Sequence, residues 1–352
     1  GAKLVLAARN EDALRQLTEE IKAQLAQEFP SEFADYHRGA FAWRMGKLEE
    51  ARAAWEALLK RPAEERRYRT TWAMFMLGKD ASREGNWERA SEYFKQTRQA
   101  VREGFADTMK LAASSFGWEA RMNLEAKRFS EAAGLYLEQL ASGDSSAVFS
   151  LRDVMTGVFV EGADLEAVVK DPVLQRLATA CSVAALGPFS EGNNFEAGDQ
   201  SLSARWLTAL EKVDAKNVRD ADRVAWIAYA GGDYARAERW LRRAEETSPY
   251  TLWLKAKLSL RKGDVKTATQ LLSKALRMLP ENQDLESRGF VEDEMPPRIV
   301  AQGDLGLLQF TRGDFMNALK LFVEGGHRND AEYIAEGILT IKELKGFVDE
   351  QA

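Results

Sequence analysis

The sequence predicts an all-α fold of stacked helix hairpins, and three observations lead to this prediction. Only 8 of the 352 residues are proline, which suits a mostly helical chain because a proline inside a helix removes a backbone hydrogen bond. Hydrophobic residues make up 45% of the chain, which is enough to build a packed core and excludes an intrinsically disordered protein. A short pattern containing a glycine, an alanine and two large apolar residues also recurs six times along the chain.

The recurring pattern is Gly-x-aromatic-x-x-Ala-x-x-x-aromatic, in which an aliphatic residue sometimes replaces an aromatic one. Five copies begin with glycine, and a weaker one begins with lysine. The copies begin at Gly46, Gly85, Lys127, Gly232, Gly263 and Gly313. A repeated spacing of this kind predicts a repeated helix–turn–helix unit.

The first half of the pattern predicts the turn between two helices. Glycine ends the first helix, because a residue without Cβ adopts the left-handed conformation at little cost. The Asp or Asn that follows in four copies is placed to cap the second helix. These predicted caps are Asn86, Asp233, Asp264 and Asp314. Pro249 and Pro280 follow two of the units at the position where the second helix should stop.

The second half of the pattern predicts how the two helices pack. The apolar residue after the cap anchors the second helix, and the alanine is small because the two backbones approach closely. The large residue four positions later lies on the same side of the helix and fills the core of the pair. A small residue also stands seven positions before each turn position. These small residues are Gly39, Gly78, Ala120, Ala225, Ala256 and Gly306.

The turn glycine, the alanine, the large apolar residue and the closing proline together resemble the tetratricopeptide repeat. The resemblance covers residues 33–145 and 222–326 and implies a right-handed superhelix of helix hairpins. The turn positions are separated by 39, 42, 31 and 50 residues within the two regions, whereas the family repeats every 34 residues. We therefore expect a divergent, irregular superhelix.

The chain divides into three segments by this pattern. Residues 1–145 are expected to form an N-terminal repeat arm and residues 222–352 a C-terminal one. The intervening residues 146–221 are expected to be irregular but partly helical, with a Gly- and Asn-rich loop over 187–199. Two helices are predicted there, at Val173–Ala185 after an Asp-Pro cap and at Ser201–Val213. Because apolar residues continue to the last turn, we also expect the natural protein to extend beyond Ala352.

The family resemblance implies that the first helix of each unit lines a concave groove that binds a partner. Transferred residue by residue, the lining positions give eleven candidate partner-binding residues, most of them aromatic. They are Tyr36, Trp43, Trp72, Phe75, Lys79, Arg121, Trp226, Tyr229, Tyr250, Trp253 and Lys257. Two interpretations stay open: the aromatic residues form an amphipathic groove for a ligand, or they pack between neighbouring helices.

Composition and motifs argue against several other classes of protein. The net charge of −6 and the pI of about 5.4 argue against a nucleic-acid-binding protein. Arginines 61, 66, 67 and 69 are interspersed with glutamates and are expected to form a solvated surface. Cys181 is the single cysteine and the chain has 2 histidines, without metal-site spacing. No nucleotide-binding or catalytic motif and no membrane-spanning apolar run is present, so we expect no enzyme, cofactor or metal site.

These observations predict a non-catalytic scaffold that binds a peptide or protein segment in the groove of a superhelix. One alternative is the non-catalytic helical-repeat portion of a larger enzyme or cell-envelope assembly. Another is a small-ligand sensor that uses the loop over 187–199.

Overall fold

The computed structural model describes residues 31–160, 162–184, 201–213, 218–280 and 296–351, together with residues 16, 19 and 20. Over these residues the fold is all-α, with eighteen α-helices, one 3-10 turn at Ala63–Glu65 and no strand. The chain forms two compact units, Gly1–Gly157 (unit 1) and Val158–Ala352 (unit 2). The prediction of three segments stays a prediction.

Three helix hairpins make up the described part of unit 1. They are α1 (Ser31–Arg44) with α2 (Leu48–Leu59), α3 (Thr70–Arg83) with α4 (Trp87–Arg102), and α5 (Leu111–Glu125) with α6 (Phe129–Ala141). The second helix of each hairpin packs on the first helix of the next, and α3 also contacts α5. Helix α7 (Ala147–Val160) follows and contains the division between the units.

Unit 2 begins with shorter helices and continues with three further hairpins. The shorter helices are α8 (Leu165–Lys170), α9 (Pro172–Ala184) and α10 (Leu202–Lys212). The hairpins are α11 (Ala221–Ala230) with α12 (Tyr234–Leu241), α13 (Pro249–Arg261) with α14 (Val265–Met278), and α15 (Pro297–Thr311) with α16 (Phe315–Glu324). Helices α17 (Arg328–Gly337) and α18 (Ile341–Gln351) end the chain. The all-α arrangement of stacked hairpins confirms the predicted solenoid fold class.

All six copies of the sequence pattern form the predicted turn between two helices. The five turn glycines have φ between 75° and 81°, the left-handed region that glycine adopts most easily. Lys127 occupies the same position in the weaker copy with φ 57°, where a side chain is unfavourable. In every copy the second helix begins at the predicted anchor residue. The sequence spacing therefore located these helix starts correctly.

The predicted packing within the hairpins is confirmed by burial. The pattern alanines are all 0% exposed, and the large residues four positions later are all buried. The alanines are Ala51, Ala90, Ala132, Ala237, Ala268 and Ala318, and the large residues are Trp55, Phe94, Tyr136, Leu241, Leu272 and Phe322. Three upstream glycines lie directly against these rings: a Cβ on Gly78 would stand 2.6 Å from Phe94 Cε1. The glycine is thus needed because the ring occupies the place of its side chain.

Three of the four predicted helix caps form. The side chains of Asn86, Asp233 and Asp264 each accept a hydrogen bond from the backbone N–H three residues on. The prediction for Asp314 was wrong, because its carboxylate makes no cap hydrogen bond. Asp314 Oδ2 instead accepts a hydrogen bond from Asn317 Nδ2 at 2.8 Å.

The two prolines behave differently from one another. Helix α14 ends at Met278, just before Pro280, as predicted. Pro249 instead begins α13, and the preceding helix α12 already ends at Leu241. A proline is well tolerated at the first helical position because that backbone N–H has no partner within the helix. The prediction that Pro249 ends a helix was therefore wrong.

The two helices predicted for the middle segment are present in unit 2. Asp171 Oδ1 accepts hydrogen bonds from the backbone N–H groups of Val173 and Leu174, at 2.9 Å each, at the start of α9. Ser201 caps α10 by accepting a hydrogen bond from Ala204 N. The predicted loop over 187–199 lies outside the described residues.

Candidate functional site

The first helices of the hairpins in unit 1 carry aromatic residues that contact one another between repeats. Tyr36 of α1 meets Trp72 of α3 with ring centroids 5.4 Å apart. Phe75 of α3 meets Trp118 of α5 edge to face at 6.5 Å. Trp43, Trp72 and Trp118 are partly exposed. We call the surface formed by Trp43, Trp72 and Trp118 the unit 1 aromatic face.

Burial separates the candidate residues into two groups. Tyr36 and Phe75 are 7% exposed and Trp253 is 6% exposed, and all three belong to hydrophobic core clusters. The remaining candidates keep part of their surface in solvent. They are Trp43, Trp72, Lys79, Arg121, Trp226, Tyr229, Tyr250 and Lys257. Four members of the second group also pack against these clusters, namely Trp43, Trp72, Trp226 and Tyr250.

Three cations of α3 lie on the rings of the unit 1 aromatic face. Arg69, at the N-cap of α3, places its Cζ 4.5 Å from the Trp72 ring centroid and 4.7 Å from that of Phe33. Lys79 Nζ is 4.6 Å from the Trp118 ring centroid, and Arg83 Cζ is 5.7 Å from that of Trp43. All four distances suit cation–π attraction. We call Arg69, Lys79 and Arg83 the α3 cation stripe.

Helical spacing places the stripe on one side of α3. Residues 69, 72, 76, 79 and 83 alternate between steps of three and four, which keeps them on one side of a helix. The carboxylates of Asp80 and Glu84, next to the stripe along the chain, both pair with Arg52 of α2. One helix therefore joins two repeats through its acids and presents its bases beside exposed tryptophans.

The side chains of the α3 cation stripe form no ion pair with a carboxylate within the described part of the chain. The carboxylate of buried Glu32 lies near Arg69, where its Oε2 accepts a hydrogen bond from the backbone N–H of Arg69 at 2.9 Å. The Nε of Arg69 is buried without a hydrogen-bond partner among the described residues. Burial first, and then the charge of Arg69, lower the pKa of neighbouring His37 below its ordinary value. The positive charge of Arg69 therefore acts on the imidazole of His37.

Arg69, Arg83 and Trp118 were not among the predicted site residues. The sequence placed Arg69 in a mixed-charge cluster expected to be solvated, but its guanidinium lies on rings from α1 and α3. Its position three residues before Trp72 is the signal that could have found it. Trp118 lies three residues before the predicted Arg121 on the same helix. Arg121, which was predicted, is exposed and pairs with Glu125 at 3.0 Å.

The corresponding helices of unit 2 form a second aromatic cluster with a different charge pattern. Trp226 and Trp253 pack edge to face at 5.2 Å, and Trp226 Nε1 donates to the backbone oxygen of Tyr250 at 3.2 Å. Lys257 Nζ is 2.6 Å from Asp304 Oδ2. The same carboxylate oxygen accepts a hydrogen bond from Trp253 Nε1 at 2.7 Å. The lysine of this cluster is therefore neutralised from within the unit.

Tyr229 and Tyr250, the other candidates in unit 2, also carry neighbouring cations or rings. Tyr229 packs against Tyr234 with ring centroids 5.3 Å apart, and burial raises its pKa. Arg223 Cζ lies 3.4 Å from the ring centroid of Tyr250. These contacts hold the tyrosines in fixed orientations at the surface of α11 and α13.

A separate cleft of about 720 Å³ lies among α4, α5 and α6 of unit 1. Its lining includes Trp87, Lys95, Glu119 and Arg128. Buried Glu119 is already satisfied, since it pairs with Arg98 at 2.7 Å and accepts a hydrogen bond from Ser91. This ion pair between α4 and α5 serves the packing of successive repeats.

Metal-binding clusters and membrane-spanning helices are both absent from the described residues. No group of three or more His, Cys, Asp or Glu side chains is arranged there to hold a metal ion. No helix in that part of the chain is both long and apolar enough to cross a membrane.

Comparisons with known proteins agree with the repeat geometry. A tetratricopeptide repeat family model matches residues 75–147, and a second one matches residues 33–57 and 225–243. No curated protein sequence matches the chain significantly.

Several solved structures align with the chain at low similarity. A tetratricopeptide repeat protein from Parabacteroides merdae is 14% identical, with 79% of this chain and 99% of that chain covered and a TM-score of 0.28. The human IFIT1 dimer with m7Gppp-AAAA is 13% identical, with 92% and 65% covered and a TM-score of 0.29. BtubC from P. vanneervenii is 14% identical, with 91% of both chains covered and a TM-score of 0.19.

These TM-scores are too low to support a structural assignment. The assignment of the fold rests instead on the six hairpins and on the matched repeat segments. The matched segments overlap four of the six hairpins, since they contain α1–α6 wholly or in part and most of α11 and α12. The chain is a tetratricopeptide-like helical-repeat protein.

Proposed function

We propose that the chain is a non-catalytic interaction scaffold that binds a peptide or protein segment across the first helices of its repeats. Helical repeats of this family generally serve as interaction scaffolds rather than as enzymes. Stacked repeats offer a long continuous surface, to which each repeat contributes one strip. The repeat assignment therefore supports the class of function, and the aromatic residues suggest where the partner lies.

The observation that carries the proposal is the partial exposure of three tryptophans between successive repeats. Trp43, Trp72 and Trp118 are each held against a ring or a cation of the neighbouring repeat. A tryptophan held in this way loses little side-chain freedom on binding and offers a large apolar area, and such residues dominate binding energies at interfaces. The unit 1 aromatic face is therefore the proposed contact surface.

A peptide-display selection on the wild-type chain tests this function even though the natural partner is unidentified. Selected peptides should lose binding when Trp72→Leu or Trp43→Leu is introduced, while the midpoint of thermal unfolding shows that the variant remains folded. Trp87→Leu is the matched control, since Trp87 is also partly exposed but lies in the cleft beside α4. Peptides that bind all three variants as well as the wild type would contradict the proposal.

A second candidate function is a scaffold portion of a larger enzyme or cell-envelope assembly. In this second function the unit 1 aromatic face would bind a covalently linked or co-assembled domain instead of a separate peptide segment. Cross-linking of the full-length natural protein distinguishes the two, because a constitutive partner would occupy the unit 1 aromatic face before any peptide is added.

A further inference from the structure

We propose that the cleft among α4, α5 and α6 is a second docking site, which takes a basic amphipathic helix of a partner protein. Two second helices, α4 and α6, contribute most of its lining, and α5 contributes the remainder. The cleft lies outside the unit 1 aromatic face. This inference therefore goes beyond the proposed function and does not depend on it.

Gly134 of α6 is the first observation that points to an occupant. It lies in the interior of α6, where glycine weakens a helix relative to alanine, and it lines the cleft. No described atom lies within 4 Å of the place that its Cβ would take, so the packing of the hairpin does not require a glycine here. The corresponding positions of α2 and α4 are Ala53 and Glu92. The glycine leaves room for another molecule to approach the backbone of α6 closely.

The charges of α6 indicate what kind of molecule this is. Glu131 and Glu138 are the only charged residues of α6, whereas α2 and α4 also carry arginines. Both carboxylates are exposed, and neither forms an ion pair within the described residues. They stand three residues before and four residues after Gly134, which places all three on one side of the helix. Close approach at the glycine would therefore bring an occupant between two unpaired carboxylates.

The other charges of the lining leave this acidic character in place. Glu88, at the start of α4, adds a third exposed carboxylate without an ion pair in the described part of the chain. Arg128 is held within the cleft, because its Nε donates to Asn123 Oδ1 at 2.7 Å and its Cζ lies 5.6 Å from the ring centroid of Trp87. Lys95 is the second cation of the lining. Charge complementarity therefore favours a cationic partner.

The walls of the cleft favour a helical partner over an extended one. They are helices whose backbone groups are already hydrogen-bonded, so the occupant has to satisfy its own backbone, as a helix does. Trp87 of α4 and Leu135 of α6 line the cleft and keep part of their apolar surface in solvent. An amphipathic helix would cover these side chains with apolar residues at i, i+3 or i+4, and i+7.

The spacing of the carboxylates specifies the partner helix further. Along α6, Glu131 and Glu138 are about 10.5 Å apart, at about 1.5 Å per residue. This distance is about two helical turns. Two cations seven residues apart, beside the apolar stripe of the partner helix, would match it.

The test uses an 18-residue peptide of alanine and glutamine with leucine at positions 4, 8, 11 and 15 and lysine at positions 5 and 12. A second peptide carries glutamate in place of both lysines, and both are acetylated, amidated and labelled with a neutral fluorophore. Binding to the whole chain is measured by fluorescence anisotropy. We expect the lysine peptide to bind on the order of tenfold more tightly than the glutamate peptide, and added salt should narrow the difference.

Gly134→Leu should abolish binding of the lysine peptide, because the leucine side chain would fill the cleft. The fold should tolerate this change, since the place of the Cβ is open and leucine favours a helix; the midpoint of thermal unfolding checks this. Ala53→Leu is the matched control, because Ala53 is exposed at the corresponding position of α2 and does not line the cleft. It should leave binding unchanged.

A second pair of variants tests the charges without filling the cleft. Glu131→Gln combined with Glu138→Gln should remove most of the preference for the lysine peptide. Glu92→Gln combined with Glu103→Gln removes the same charge from exposed positions of unit 1 that do not line the cleft. This control should preserve the preference.

Equal binding of the two peptides, or no binding of the lysine peptide, would overturn the inference. Unchanged binding of the lysine peptide to Gly134→Leu would also overturn it, because the peptide would then lie elsewhere. Self-association of the wild type in sedimentation velocity that disappears in Gly134→Leu would assign the cleft to a second copy of the chain instead. The proposed scaffold function is judged separately, because the display selection depends on Trp43 and Trp72.

Discussion

At the scale of single residues, the structure shows how a side chain's neighbours determine its chemistry. Arg69 belongs by sequence to a mixed-charge cluster, yet its guanidinium lies over aromatic rings and raises the local potential. Burial lowers the pKa of His37, and the charge of Arg69 lowers it further. The effects of burial and of the Arg69 charge on the pKa of His37 can be separated by removing the charge alone.

Arg69→Gln should raise the pKa of His37 part of the way back toward its ordinary value. The charge is removed while the burial of His37 remains, so the pKa should still stay below that value. A proton NMR titration of the two histidines measures the effect, with His327 as the internal reference. An unchanged His37 titration would show that the field of Arg69 is neutralised in solution.

Lys127→Gly should stabilise the protein by about 1 kcal/mol. Lys127 has φ 57° at the turn position where the other five copies have glycine, and a side chain is strained there. Part of the gain is offset by the greater freedom of glycine in the unfolded chain. Urea unfolding measures the change, and Gly85→Ala, at φ 75°, should destabilise by a similar amount. A destabilising Lys127→Gly would contradict the strain argument.

At the scale of helices, a large ring fills the place of a missing side chain in three of the hairpins, opposite Gly39, Gly78 and Gly306. This packing could be predicted from sequence because it repeats: the glycine or alanine, the pattern alanine and the large residue recur at fixed spacings. Contacts between repeats could not be predicted, because they depend on how far each hairpin is rotated against the next. Trp118 and the ring contacts of Arg83 belong to this second class.

Gly78→Ala should destabilise the protein by about 1–3 kcal/mol, since its Cβ would stand 2.6 Å from the ring of Phe94 and overpacking forces a shift. Gly134→Ala is the matched control. Gly134 lies inside α6, and no atom lies within 4 Å of the place that its Cβ would take, so alanine there should stabilise by up to about 1 kcal/mol. Chemical denaturation of both variants measures the difference, and equal effects would contradict the proposed close approach.

Glu211 of α10 links two helices of unit 2 through a pH-dependent pair. Arg236 of α12 donates to both of its oxygens, at 2.8 Å and 2.6 Å, and these hydrogen bonds lower the pKa of Glu211 below its ordinary value of 4.5. A carboxylate with a lowered pKa stabilises the fold above its unfolded-state pKa. This contribution disappears as the pH falls through the lowered, folded-state pKa.

Glu211→Gln should therefore lower the free energy of unfolding at neutral pH and have a shrinking effect as the solution is acidified below about pH 4.5. Urea unfolding midpoints of wild type and variant across this range provide the measurement. A gap between the two proteins that stays constant down to the lowest pH would show that the pair does not titrate as described.

At the scale of the whole molecule, the two units differ in how they treat their cations. Each carries aromatic residues on the first helices of its hairpins, but unit 2 neutralises Lys257 with its own Asp304. In unit 1 the side chains of the α3 cation stripe form no ion pair with a carboxylate within the described residues. The fold class was predictable from the repeated pattern, whereas this difference depends on single charges outside the pattern.

The most direct test of the central claim is fluorine NMR of the chain labelled with 5-fluorotryptophan, which gives a signal for each of the 9 tryptophans. Addition of a peptide obtained from the display selection should shift the signals of Trp43, Trp72 and Trp118. The signals of Trp87 in the cleft and of Trp206, which is 0% exposed, should stay in place. Shifts confined to Trp87, or to the tryptophans of unit 2, would contradict the claim that the unit 1 aromatic face is the binding surface.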